Sequence, residues 1–351
     1  MSLARRLYRG ETAFPLIRRR KIFYLISLAL VTIALTSMVV RGFNLGVEFS
    51  GGSTFQFPAN GRTEEDARRV FERLGVPDVI PQTVGRAGGA EKDIRVQTEP
   101  LPPEEIDRVL PAVAQEFGIP ADQINPSSVG PAWGRQVTTK ALQGLGLFLV
   151  AVIAYISLRF EPKMAAAAIV ALVHDLILTA GIYSITQFVV TPSTIIALLT
   201  VLGYSLYDTI VVFDKVEENT RGLSAGSRST YSEAAELAVN QTFMRSINTS
   251  LIALLPVSGL LFVGAFLLGA GTLKDLALAL FVGLASGAYS SLFLATPLLA
   301  DMKEREPQYR ALAARVLARR SGAARPGARA AARPGSVLVA AAPAPVGEFP
   351  G

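Results

Sequence analysis

The sequence predicts a polytopic α-helical membrane protein with six transmembrane helices and an extracytoplasmic α+β domain inserted between the first and second. Three observations carry this reading. Of the 351 residues, 50% are hydrophobic and 18% charged, against about 25% charged in an ordinary soluble domain, and mean hydropathy is +0.39. The apolar residues gather in windows nearly free of charge, each long enough for the ~30 Å hydrocarbon core of a bilayer. One stretch of mixed charge, residues 41–140, separates the first window from the others.

The first helix is expected over 22–40, directly after Arg18, Arg19, Arg20 and Lys21. Its apolar run is longer than the h-region of a cleavable signal and ends in Met38, Val39, Val40 and Arg41, without a small-residue cleavage site, so it reads as a retained anchor. Further helices are expected over 141–158, 164–184, 194–213, 247–268 and 276–299. Lys and Arg in short flanks mark the cytoplasmic side. The basic N-terminus (1–21) has seven, the loop 159–163 has two, the loop 214–246 has four and the tail from Met302 has nine, whereas 185–193 has none. Both termini are therefore expected in the cytoplasm, and 41–140 outside it.

That outer segment reads as βαββαβ, the order of a ferredoxin-like sandwich. A strand over Val47 to Phe57, broken by Gly51 and Gly52, leads to a helix opened by Thr63 and by Glu64, Glu65 and Asp66 and ended at Gly75. Strands over Val79 to Val84 and Asp93 to Thr98 follow, then a helix from Pro102 to Gly118 interrupted by Pro111, and a last strand over Gln123 to Val129. The tail 300–351 turns to Ala, Arg, Pro and Gly, and from about Ser321 its composition predicts disorder. Attraction to anionic membrane lipids is its expected role; ribosome or nucleic-acid binding is the alternative.

Ionisable groups inside membrane helices are costly and hence functional candidates. His174 and Asp175 fall mid-way along the third helix, Asp208 in the fourth, about 8 Å below the cytoplasmic face, and Arg245 at the start of the fifth. Asp208 and Arg245 can share a depth. Such a carboxylate loads and unloads a proton as burial and the guanidinium oppose each other; the alternative is a static ion pair that sets helix packing. His174 can relay protons or hydrogen-bond a carbonyl, and Asp175 can serve or shape the site. Gly203, Ser205, Gly283, Ser286, Gly287 and Ser290 read mainly as close helix packing. Gly42, Gly130 and Gly134 beside the outer domain are expected hinges. With no cysteine and one histidine, and no phosphate-binding glycine motif, no enzyme activity, metal or cofactor is expected.

Several segments together resemble the SecF family, within the SecD/SecF group of the RND superfamily. They are Gly46-Val47-Glu48-Phe49-Ser50-Gly51-Gly52, Ser128-Val129-Gly130-Pro131, Val173-His174-Asp175, the string from Gly203 through Tyr207-Asp208-Thr209 to Asp214, and Arg245-Ser246-Ile247-Asn248-Thr249-Ser250. The family usually has Asn at Tyr207. The resemblance implies an RND-type helix arrangement in the bacterial inner membrane and a SecD-like partner. It further implies work with the SecYEG translocon and, indirectly, SecA on translocating unfolded polypeptides, driven by the proton gradient. Asp208, Arg245 and Thr209 match the family's proton pathway. An RND-type exporter of small molecules or lipids, or a non-transporting translocon scaffold, remains the alternative.

Overall fold

The computed structural model describes residues 14–85, 92–223, 229–267 and 271–323. Six of its helices are long and apolar enough to cross a membrane: Arg20–Arg41, Pro131–Arg159, Pro162–Thr186, Pro192–Thr220, Tyr231–Gly264 and Lys274–Glu304. The first four are designated α1, α5, α6 and α7. The fifth comprises α8, Tyr231–Ser258, and a π-helical turn, Gly259–Leu267. The sixth comprises α9, Gly271–Ser290, a π turn, Ser291–Ala295, and α10, Thr296–Glu304. In α6, α7 and the sixth helix 50% of the apolar window is buried, against 11% in α5 and the fifth and 17% in α1. The first three therefore form the centre of the bundle.

Several helices overrun the apolar windows. Helix α5 starts at Pro131, ten residues before its window, because Pro at the first helical position is pre-set for a helix. The expected loop over 214–246 is largely helical: α7 continues to Thr220, and α8 begins at Tyr231, capped by Thr230, whose side chain accepts from the Glu233 N–H in a capping box. Hydropathy finds only the part of a helix that meets lipid. The expected tail also holds a helix, α11, Pro307–Ala323. Leu312 and Val316 on one of its faces are buried, Tyr309 packs on Tyr231 with ring centroids 4.8 Å apart, and Arg320 makes a bidentate pair with Glu233 at 2.6 and 3.0 Å. The rest of the segment expected to be disordered, 324–351, lies outside the described residues. At the other end, the Phe14 N–H donates to Asn240 Oδ1 at 2.8 Å, and Asn240 Nδ2 donates back to the Phe14 carbonyl at 3.1 Å.

The inserted domain, hereafter the head, follows the expected βαββαβ order. Strand β2 is Gly52–Pro58, helix α3 Glu64–Arg73, β3 Ile80–Gly85, β4 Lys92–Thr98, helix α4 Pro103–Phe117 and β5 Asn125–Val129. The sheet order is β3-β4-β2-β5, all antiparallel, which is the ferredoxin-like arrangement. Phe55, Phe57, Ile94 and Val96 face the helices and pack with Phe71, Val113 and Phe117. Thr54, Gln56, Arg95 and Gln97, one residue out of phase, line the opposite face toward the membrane part. Pro111 sits inside α4 without ending it. The Thr63 N–H and hydroxyl donate to the Asp66 carboxylate at 2.9 and 2.8 Å and hold it below the usual carboxylate range.

The root of the head departs from expectation. Residues 47–50 are not strand but a single helical turn, α2 (Val47–Ser50), ended by Gly51 at φ +76°. A Cβ on Gly134 would lie 2.7 Å from the Gly51 nitrogen and 2.9 Å from the Phe49 carbonyl oxygen. Thr138 Oγ1 adds a hydrogen bond to that carbonyl at 3.2 Å. Gly134 thus provides close approach of α5 to α2 and is no free joint, contrary to the hinge expectation. Gly42, at φ +64°, and Gly130 have open surroundings. Beyond Gly42, β1 (Asn44–Leu45) pairs in parallel with β6 (Val189–Val190) between α6 and α7.

Helix α1 lies on α6 through Gly181, where a Cβ would come within 2.3 Å of Ala34 Cβ, and through a 2.9 Å Ser37–Ser184 hydroxyl pair. Gly181→Leu should force these helices apart at a cost of about 1–3 kcal/mol, read as a lower melting temperature in detergent. Gly144→Leu, at a glycine with nothing within 4 Å, should leave the melt unchanged.

Candidate functional site

Helix α6 opens with an alanine-rich run, and Ala165, Ala167, Ala168 and Ala171 are buried. These short side chains allow neighbouring backbones to approach. One turn further in stands Asp175, 0% exposed. Its carboxylate accepts hydrogen bonds from Ser205 Oγ of α7 at 2.6 Å and from Ser286 Oγ and Ser290 Oγ of α9, each at 2.7 Å. Ser286 and Ser290 are four residues apart and share a helix face. Between them Gly287 has no side chain to obstruct contact; a Cβ there would lie 2.8 Å from Ser205 Cβ. His174 Nδ1 lies 3.2 Å from the same carboxylate, and its ring stacks on Tyr289 with centroids 6.1 Å apart. His174 Nε2 is buried with no partner among the described residues.

Asp208 is 5% exposed. Ser246 Oγ of α8 donates to its Oδ1 at 2.7 Å, and Ser291 Oγ donates to its Oδ2. The neighbouring Thr209 turns its hydroxyl onto its own helix, 3.0 Å from the Ser205 carbonyl. Asp208 and Arg245 are not brought together. Arg245 is exposed, and its guanidinium donates to the Tyr207 hydroxyl at 3.4 Å. The reason is helical phase. Consecutive residues point about 100° apart, so facing Ser246 and Asp208 into the bundle turns Arg245 and Tyr207 out of it.

The two carboxylates, on different helices, are served by consecutive serines. Ser290 reaches Asp175 and Ser291 reaches Asp208, and the π turn of the sixth helix begins at Ser291. Such wide turns inside α-helices recur at functional sites. A serine hydroxyl both donates and accepts. Each cage therefore satisfies an ionised carboxylate by donating to it, and a protonated one by accepting from it after rotation of one hydroxyl. Ser246, although inside a segment that carries the family resemblance, and Ser291 were not expected as site residues. The signal was the spacing of Ser286, Ser290 and Ser291 in the charge-free stretch 276–299. Among the described residues no group of three or more His, Cys, Asp or Glu side chains could hold a metal ion.

Comparison with known proteins places this arrangement in a family. Residues 110–305 match the family described as protein export membrane protein SecD/SecF, C-terminal, and residues 36–60 match the SecD/SecF GG motif. The chain is 46% identical over 326 residues to a protein translocase subunit SecF of Streptomyces coelicolor, covering 92% of this chain and 86% of that one. It is 45% identical over 350 residues to the corresponding subunit of Mycobacterium tuberculosis, covering 97% and 78%. The crystal structure of SecDF, a translocon-associated membrane protein from Thermus thermophilus, superposes with a TM-score of 0.76 at 30% identity. That match takes in 87% of this chain and 40% of the solved one. SecDF in a super-membrane-facing form gives 0.60 at 31% identity, over 84% and 39%. With both family motifs present and relatives matched over most of their length, the chain belongs to the SecD/SecF family of protein-export membrane proteins, as a multi-pass subunit of the SecF type.

Proposed function

We infer that this chain is the SecF half of a proton-driven export motor. Protons cross its membrane part by way of Asp208, and the resulting helix movement shifts the head, which assists unfolded polypeptides leaving the SecYEG translocon while SecA acts from the cytoplasm. The observation that carries this reading is the pair of buried carboxylates, Asp175 and Asp208, each held by reversible hydroxyls on neighbouring helices. A carboxylate kept in low dielectric without a fixed cation is suited to changing its proton. The basic residues flanking the helices support cytoplasmic termini and a periplasmic head in a bacterial inner membrane.

The outward side of α7 and α8 supports a SecD-like partner. Gly203, Tyr207, Arg245 and Asn248 are exposed there, on helices otherwise apolar enough for lipid. A guanidinium facing hydrocarbon is expensive, so a second membrane unit covers this face, while the apolar faces of α1 and α5 meet lipid. In that assembly Arg245 is free to exchange Tyr207 for a carboxylate as the cycle turns. Similarity to two SecDF structures at nearly equal identity but TM-scores of 0.76 and 0.60 supports a fold that takes more than one arrangement.

Asp208→Asn keeps the shape and hydrogen bonding but cannot titrate. In membranes reconstituted with the SecD-like partner, export should lose its stimulation by a proton gradient while the complex still assembles; stimulation at the wild-type level would refute the proton role. Arg245→Lys should be impaired as well, because an ammonium cannot reproduce the planar donor fork, and full stimulated export in that variant would show that charge alone suffices. If the head moves, the β1–β6 pair at its root must open. A Leu45→Cys, Val190→Cys cross-link joins register partners at a separation that suits a disulfide. Oxidation should stop stimulated export and reduction restore it, cleanly, because the chain has no native cysteine.

A further inference from the structure

The buried polar atoms of α6 do not end at Asp175. Asp175, Thr179 and Tyr183 recur at four-residue intervals, on one face of the helix, about 6 Å apart along its axis. They are 0%, 1% and 2% exposed. The Thr179 hydroxyl donates to the Asp175 carbonyl at 2.8 Å, and the Tyr183 hydroxyl donates to the carbonyl of Asp275, at the head-side end of the sixth helix. Polar groups at three successive turns of a membrane helix are costly where apolar ones would pack. Their alignment joins the Asp175 cage to the head side.

At the upper end of this line the structure is open. Asp275 is 7% exposed, yet it lines two cavities of 450 and 320 Å³ between the membrane part and the uncovered face of the head sheet. Arg95 of β4 lines both, Glu48 of α2 lines the larger, and Glu64 and Lys274 line the smaller. Spaces of that size and polarity hold several water molecules. Asp275 therefore borders solvent-accessible space on one side and the buried polar line on the other.

We propose that Asp275 is the head-side proton inlet, feeding Asp175 through Tyr183 and Thr179. The proposal rests on the proton-coupled reading given above. A hydronium ion in the cavity gives its proton to the Asp275 carboxylate and leaves as water. The neutral carboxyl passes the proton along the Tyr183 and Thr179 hydroxyls and intervening waters to the Asp175 carboxylate, and Asp275 regains its negative charge. Each hydroxyl accepts one proton and gives one, and so ends unchanged. Because Arg95 belongs to the head, movement of the head alters the positive charge that Asp275 faces. The position of the head thereby sets how readily the inlet loads.

The test uses the full chain reconstituted with its SecD-like partner in vesicles, heads outward, with a pH-sensitive dye inside. Proton entry is compared for the wild type, Asp275→Asn, Tyr183→Phe and Asp208→Asn. In parallel, Asp275→Cys is exposed to a membrane-impermeant thiosulfonate from the head side. Entry should fall in Asp275→Asn and Tyr183→Phe toward the level of Asp208→Asn, and the cysteine should label. Tyr183→Phe preserves the packed ring, so a loss there is not a folding defect. Wild-type entry in both variants alongside loss in Asp208→Asn would overturn the inlet alone, as would a cysteine that does not label. A wild-type complex that moves no protons would overturn the inlet and the proton-coupled reading together.

Discussion

A carboxylate inside a bilayer must have its lone pairs satisfied by the protein, and much of this bundle follows from that requirement. For Asp175 the donors come from two other helices, which places α6, α7 and α9 at the centre and brings their backbones close. Close approach in turn demands small residues at the crossing, such as Gly287 against Ser205 and Gly283 against Val201. Consecutive residues diverge by about 100°, which lets Ser290 and Ser291 reach acids on two different neighbours, at the point where the π turn begins. The small residues are thus a packing feature that follows from an electrostatic need.

The same helices anchor the head. Its root is held on one flank by the β1–β6 pair and on the other by the packing of α2 against Gly134 of α5. Between these attachments the polar face of the sheet lies over the ends of α6 and the sixth helix, and the cavities border both parts. Chemistry at the membrane end of Asp275 and posture of the head therefore share one space.

Fold and site were legible in the sequence to different degrees. Six apolar windows and the alternation of Phe55 and Phe57 with Thr54 and Gln56 reveal the architecture, because burial in lipid or in a sheet core imposes strong periodic patterns. The extra turns of α5 and α8 were not visible as such, since 131–140 and 231–246 carry Arg135, Gln136, Lys140, Glu233, Glu236, Asn240 and Arg245 and so fall outside the apolar windows. Asp175 and Asp208 stood out because charge is rare in such windows. Their partners did not, because serine in a helix is common and only the three-dimensional crossing distinguishes a donor from a packing residue. The missing Asp208–Arg245 contact has the same origin: equal depth is readable from sequence position, but facing is set by which neighbour each helix meets. Asp275 escaped notice because it stands beside Lys274, one residue before the apolar window 276–299.

The bidentate contact of Arg320 with Glu233 spans 87 positions of the chain, and the Phe14–Asn240 pair spans 226. Glu233 also caps the start of α8, so that helix can form while the chain is still being made, but its clamp cannot. The Phe14–Asn240 pair can close before the sixth membrane helix is made, the Arg320–Glu233 clamp only after it. Order of assembly is thereby written into these two contacts: the base of the bundle is fastened in two steps, one on each side of the last membrane helix.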